Sequence, residues 1–257
     1  MNSIRVVPPV RRSATLFEDD HLRIRFVEGK SNEAIVSFSG VGMNDYRILN
    51  MNKPPGWDAT QIDEFRKTIG ETKNVYYVAD KRRGWYNGLE DRLLDLINSD
   101  LAKRRLGRVL ALGNSMGGSA ALMFASRIRG CRHAVAFAPQ SSVHPDVVPF
   151  ESRWDEYRAR ITEWTTPDPV RSMDASVRRY YVFYGMRDDM DKLHIQRILA
   201  RRLPSTVVFG LRKCGHEVAL YLRNNGVSLK DIIDTAFNGI PNDVLKIVKR
   251  VGISRQS

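Results

Sequence analysis

Five residues, Gly113-Asn114-Ser115-Met116-Gly117, set a serine midway between two glycines. A serine hydroxyl is a weak nucleophile until a base takes its proton, and the base in turn needs an orienting acid. The string therefore gains meaning from its surroundings. Before it, Val109-Leu110-Ala111-Leu112 is continuously apolar and reads as a buried strand. After it, Gly118-Ser119-Ala120-Ala121-Leu122 is a run of small residues that reads as a helix. A strand turning directly into a helix leaves no room for large side chains beside the serine, and glycines meet that demand. The turn holds the serine in strained geometry with its hydroxyl above the sheet. The helix N-terminus behind it places positive potential where an oxyanion would form. Such a string arises by chance about 0.1 times in a chain of this length. The strand before it and the helix after it make Ser115 a candidate nucleophile.

Of the five histidines, four are poorly placed to serve as its base. His21 and His133 begin strands, the latter at the end opposite Ser115. His194 lies among Leu193, Ile195 and Ile198 inside a helix and reads as a packing residue, while His144 lies in a proline-rich insertion. His216 follows the apolar run Val207-Val208-Phe209 across a short loop ending Cys214-Gly215 and opens a helix. In a parallel sheet that loop shares the carboxyl edge with Ser115. The acid should come from another loop on that edge. The strand Tyr181-Val182-Phe183-Tyr184 ends in Gly185-Met186-Arg187-Asp188-Asp189, and either aspartate could reach His216. Asp188 has a competing reading as the N-cap of the next helix. With two adjacent aspartates, one can cap while the other orients.

Positioning these groups requires alternating strands and helices. Strands are expected at 21–29, 34–38, 74–79, 108–112, 133–138, 180–184 and 206–209. Helices are expected at 60–69, 89–105, 117–128, 191–203, 216–224, 228–237 and 243–251. Repeated β-α-β order with buried strands implies an α/β fold, a mainly parallel sheet with helices on both faces. No repeat or linker divides the chain, so residues 1–257 read as one domain. Residues 141–178 interrupt the pattern, with prolines at 145, 149, 167 and 169 and with Trp154, Tyr157 and Trp164. An insertion of that length reads as a lid, or as a helical patch packing its tryptophans inward.

Over nearly its whole length the chain resembles the serine hydrolases of the α/β-hydrolase superfamily. The serine turn, a strand ending in Gly-x-x-Asp and a late Gly-His occur in the family's order, Ser…Asp…His. The resemblance implies a short lid where the insertion begins, and an acid three residues after the glycine, Asp188 rather than Asp189. It implies an oxyanion hole from the backbone N–H groups of Met116 and Val41, with Gly42 a neighbour in register. Many relatives have His-Gly where this chain has Ser39-Gly40. The implied activity is cleavage of a carboxylic ester through an acyl-enzyme, with no metal or organic cofactor. An acyltransferase or thioesterase would use the same groups, and a non-catalytic polyanion-binding protein could keep the same fold. Substrate contacts are expected from Gly40, Trp154 and Trp164. Arginines beside those tryptophans (Arg153, Arg158, Arg160) would favour an anionic or sugar-bearing ester. The stretch 138–154 is also similar to hydrolase-like proteins linked to bacterial polysaccharide pathways, which adds an O-acyl sugar as a candidate.

Composition sets the remaining bounds. With 42% hydrophobic and 27% charged residues the chain reads as globular, and no apolar run approaches the ~20 residues of a membrane span. The start lacks the apolar stretch of a secretory signal, so the expected location is the cytoplasm. Cys131 and Cys214 lie in no metal-ligand or CxxC pattern and read as reduced thiols. The net charge of +12 comes from scattered pairs and triplets, among them Arg11-Arg12, 81–83, 103–105, Arg178-Arg179 and Arg201-Arg202. Several fall at helix ends, where cations suit the helix dipole. A nucleic-acid partner is not expected. Oligomeric state is not encoded in any of these features.

Overall fold

The computed structural model of the protein describes residues 12–42 and 62–256. Arg11 and most of the chain start lie outside them, as do the first residues of the helix expected at 60–69.

Nine strands among the described residues form one sheet in the order β1-β2-β4-β3-β5-β6-β7-β8-β9. They are β1 Ser13–Glu18, β2 Leu22–Val27, β3 Glu33–Phe38, β4 Asn74–Asp80, β5 Arg108–Asn114, β6 Cys131–Phe137, β7 Arg179–Gly185, β8 Thr206–Leu211 and β9 Ile253–Gln256. Strands β3 to β8 run parallel. At the two ends of the sheet β1, β2 and β9 pair antiparallel. Strand β2 alternates as its sequence does, with Leu22, Ile24 and Phe26 buried between Arg23 and Arg25. The central strands are buried on both faces, as a parallel sheet covered by helices requires. Aligned phenylalanines 137, 183 and 209 stack across β6, β7 and β8 with ring centroids 5.0 and 4.8 Å apart.

The helices are α1 Glu90–Lys103, α2 Met116–Phe124, α3 Asp155–Arg158, α4 Asp189–Ala200, α5 Val218–Asn224, α6 Leu229–Asn238 and α7 Pro241–Val248. Helix α1 buries Leu93, Leu94, Ile97 and Leu101 on one stripe, with Glu90 and Asp91 in its first turn and Lys103 in its last, the charge order the helix dipole favours. On the other face α6 buries Ile232, Ile233, Ala236 and Phe237. Together these elements are an α/β-hydrolase fold. Among the described residues no helix is long and apolar enough to cross a membrane. Both cysteines are free and buried.

Two expectations change. Residues 62–69 form turns rather than a helix, because Phe65 sits at φ 63°, in the left-handed region. Strands β1 and β9 are additional; both are edge strands, and their short mixed sequences carry little alternation.

Parallel pairing puts the carboxyl ends of β3, β5, β6, β7 and β8 on one edge. The loops leaving those five ends build the site.

Candidate active site

Ser115 stands between β5 and α2 with φ 53° and ψ −122°, a conformation few residues other than glycine adopt. Its N–H donates to Phe137 O at 2.8 Å, tying the turn to β6. The flanking glycines are fixed by backbone approach. A Cβ on Gly113 would lie 2.0 Å from Gly117 O, and one on Gly117 would lie 2.1 Å from Phe38 O.

The structure brings His216 beside Ser115. Ser115 Oγ is 3.0 Å from His216 Nε2. His216 Nδ1 lies 2.9 and 3.1 Å from the two carboxylate oxygens of Asp191. Asp188, the aspartate selected by the resemblance, instead caps α4 by accepting from Asp191 N at 2.9 Å. Its extended backbone (φ −101°, ψ 114°) turns its carboxylate toward the helix start, while Asp191, in the first turn, faces His216. Asp189 points outward and pairs with Lys192 at 2.7 Å. A carboxylate can only accept, so His216 carries its proton on Nδ1 and offers the Nε2 lone pair to Ser115.

The loop after β3 is held from three sides. Arg83 Nε, buried, donates to Val41 O at 2.8 Å. Tyr86 Oη donates to Ser39 O at 2.9 Å. Gly40 N donates to Glu64 Oε1 at 3.0 Å. Met116 opens α2, so its N–H has no acceptor within the helix. Arg83, which reads in the sequence as one of three surface cations, is thus an internal brace.

Arg153, from the insertion, reaches into the acid side of the site. Its Nη1 donates to Asp188 at 3.0 Å and to Asp191 at 2.9 Å, and its Nε and Nη2 donate to Glu151. Nη1 also lies 3.4 Å from His216 Nδ1, but both are donors and no hydrogen bond results. Ligand atoms of Asp188, Asp191 and His216 come within 4.8 Å of one another, the spacing of a cation site. The Arg153 guanidinium contacts all three residues and supplies that cation. Behind it His194, buried, accepts from Ser141 N at Nδ1 and donates from Nε2 to Glu151 at 2.9 Å. His194 is therefore structural, as its helical setting indicates.

A cavity of about 510 Å³ opens onto Ser115 and His216. Gly40, Val41 and Trp154 line it, together with the apolar Ile62, Phe65 and Leu220. Trp154 is buried, with its ring centroid 5.8 Å from that of His216. Trp164 is not brought to the cavity; it packs on His144 at 4.8 Å within the insertion. Gln140, unremarked in the sequence, lies fully buried with its Nε2 3.1 Å from Ser115 Oγ.

A sequence model of one family, described as "Putative esterase", matches residues 63–201, more than half of the chain. The chain belongs to this esterase family. No curated protein matches the sequence. Among solved structures, it is similar to a thermophilic esterase from Thermogutta terrifontis, at 14% identity over 93% of each chain with TM-score 0.58. It is also similar to the capsule O-acetyltransferase of Neisseria meningitidis serogroup A, at 16% identity over 81% of this chain and 91% of that one, TM-score 0.55. A third is a structure described as a "putative esterase" from Staphylococcus aureus, at 16% identity over 91% and 86%, TM-score 0.55. These likenesses establish the shared fold.

The esterase carries a pH-sensitive element in Glu151. Burial raises its carboxyl pKa, but hydrogen bonds from His194 and Arg153 outweigh burial and bring it down to about 2. A folded pKa below the unfolded value contributes stability that is present above about pH 4.5 and lost as pH falls through about 2. Glu151→Gln should therefore melt well below the wild-type esterase at pH 7. The gap should narrow steadily as pH is lowered from about 5 toward 2. Melting temperature against pH for both proteins checks this; a gap independent of pH would show that charge at Glu151 is not the source.

Proposed function

We propose that the enzyme hydrolyses a carboxylic ester through an acyl-enzyme on Ser115, with His216 as general base and acid and Asp191 as orienting acid. The observation that carries this reading is the chain of contacts from Ser115 Oγ to His216 Nε2 (3.0 Å) and from His216 Nδ1 to Asp191 (2.9 Å), open to one cavity. His216 takes the Ser115 proton as Oγ attacks the carbonyl carbon. The N–H groups of Met116 and Val41 receive the oxyanion, each donor contributing about 3 kcal/mol. His216 then protonates the leaving alcohol, activates a water and returns a proton to Ser115 Oγ.

The substrate proposed is a small-molecule or saccharide ester, with one part lying against Ile62, Phe65 and Leu220 and the scissile bond between Gly40 and Trp154. An anionic ester gains no support from the insertion's arginines. Arg153 is spent on Glu151, Asp188 and Asp191; Arg158 and Arg160 pair with Asp155 and Glu156. No role for nucleic acid is proposed. The two free, buried thiols support a cytoplasmic setting.

A fluorophosphonate probe should label the wild type and leave Ser115→Ala unlabelled. Absence of labelling together with no turnover of short p-nitrophenyl esters would overturn the esterase mechanism. Retention on heparin that disappears in moderate salt, again without labelling, would point instead to polyanion binding. Running the ester assay with an added alcohol or sugar acceptor separates hydrolysis from acyl transfer.

A further inference from the structure

Gln140 follows β6 by three residues and is fully buried against the nucleophile. Its amide has two donors and two acceptor positions, and each has a partner. Oε1 accepts from Trp85 Nε1 at 3.1 Å and from Ser119 Oγ at 3.3 Å. Nε2 donates to Ser115 Oγ at 3.1 Å and to Ala138 O at 3.4 Å. The orientation of the amide is fixed by chemistry. An indole N–H can only donate, so oxygen must face Trp85; a peptide carbonyl can only accept, so nitrogen must face Ala138. A donor therefore points at Ser115 Oγ. With a donor on that side, the serine cannot direct its own proton toward Gln140. Its proton is left to His216 Nε2.

We infer that Gln140 is a catalytic residue of this enzyme, which directs the Ser115 proton to His216 and stabilises Oγ when it departs as a leaving group. The inference rests on Ser115 being the nucleophile. Its effect differs between the two half-reactions. In acylation, a donor on Oγ eases loss of the proton but also dampens the attacking lone pair, and the two effects oppose. In deacylation, His216 takes a proton from water, whose oxygen bonds to the acyl carbon. The tetrahedral intermediate then collapses: the C–Oγ bond breaks, its electron pair stays on Oγ, and His216 returns the proton there. The Gln140 N–H stabilises the charge developing on Oγ at that step, with no opposing effect. Removing it should slow deacylation more than acylation.

Gln140→Met keeps the length of the side chain without its donors, and Trp85→Phe/Gln140→Met also removes the indole donor that would lose its partner. On p-nitrophenyl acetate, both should lose about 10- to 100-fold in the deacylation rate, the range of a hydrogen bond to a charged atom. Acylation, read from the burst and from the rate of fluorophosphonate labelling, should change by less than about fivefold, a small barrier difference. Acetylated Ser115 should then accumulate and appear in the intact mass. Equal deacylation rates in wild type and double variant would overturn the inference, as would acylation and deacylation falling by the same factor. If the single variant fails to fold, the double variant carries the test. Should both fail, Gln140→Asn supplies it: withdrawing the amide from Oγ by one methylene must also favour acyl-enzyme accumulation, and its absence overturns the inference. A wild type that is not labelled at all would instead sink the nucleophile assignment.

Discussion

Asp191→Asn is expected to lower kcat on p-nitrophenyl esters by roughly four orders of magnitude, whereas Asp188→Asn should leave it within about tenfold. The difference follows from which hydrogen each amide would present. Arg153 Nη1 lies 2.9 Å from Asp191 Oδ1 and can only donate. Oδ1 is also the oxygen 2.9 Å from His216 Nδ1, so an asparagine that keeps oxygen there for Arg153 sets its NH₂ in place of Oδ2, 3.1 Å from Nδ1. A donor then faces the ring N–H, and the negative charge that stabilises the imidazolium formed when His216 takes the serine proton is gone. At 188 the change is mild, because asparagine caps a helix about as well as aspartate and can still accept from Asp191 N. The melting temperature of Asp188→Asn should stay near wild type, whereas that of Asp191→Asn should fall, because its buried carboxylate pairs with Arg153; kcat is compared well below both melting temperatures. The reverse ranking in kcat would return the orienting role to Asp188.

That pair also shows where the sequence stops being informative. Ser115 is legible because the glycines around it answer a steric demand that can be stated without coordinates. His216 is legible because it follows a strand on the correct edge. The acid is obscured by three aspartates within four positions, Asp188, Asp189 and Asp191. A helix start can use such residues as cap, surface ion pair or interior partner, and only the direction of the first turn separates these uses. Gln140 and Arg153 are hidden for a different reason. Nothing in a single sequence marks Gln140, at the edge of the insertion, as fully buried, and Arg153 reads there as a possible substrate contact because its pairing with Glu151, Asp188 and Asp191 is a matter of three-dimensional placement. Arg83 is concealed between Arg82 and Gly84 as one more surface cation. The helix expected at 60–69 failed because Ile62, Phe65 and Ile69 mimic helical spacing while Phe65 adopts a left-handed backbone. Trp164 was grouped with Trp154 by sequence proximity, yet only Trp154 reaches His216.

Gly185→Ala should combine a loss of stability with a loss of activity, while Gly215→Ala should do neither. The two glycines belong to the loops of the acid and the base. A Cβ on Gly185 would fall 1.9 Å from Gly215 O and 2.6 Å from Cys214 O, both backbone atoms. No side chain can yield there. The segment preceding His216 would have to move away from β7, straining the hydrogen bond from Arg187 N to Cys214 O. Forced overpacking of this kind costs about 1–3 kcal/mol. Displacing His216 by even about 1 Å would cost roughly a hundredfold in turnover. A Cβ on Gly215, one residue from the base, meets nothing within 4 Å. Its alanine variant should keep turnover within about threefold and its urea midpoint near wild type, as surface changes do. Full activity in Gly185→Ala would mean that the base loop has slack the close approach denies it. The glycine that heads Gly-x-x-Asp is thus required by the histidine loop packed against it, whichever aspartate faces His216.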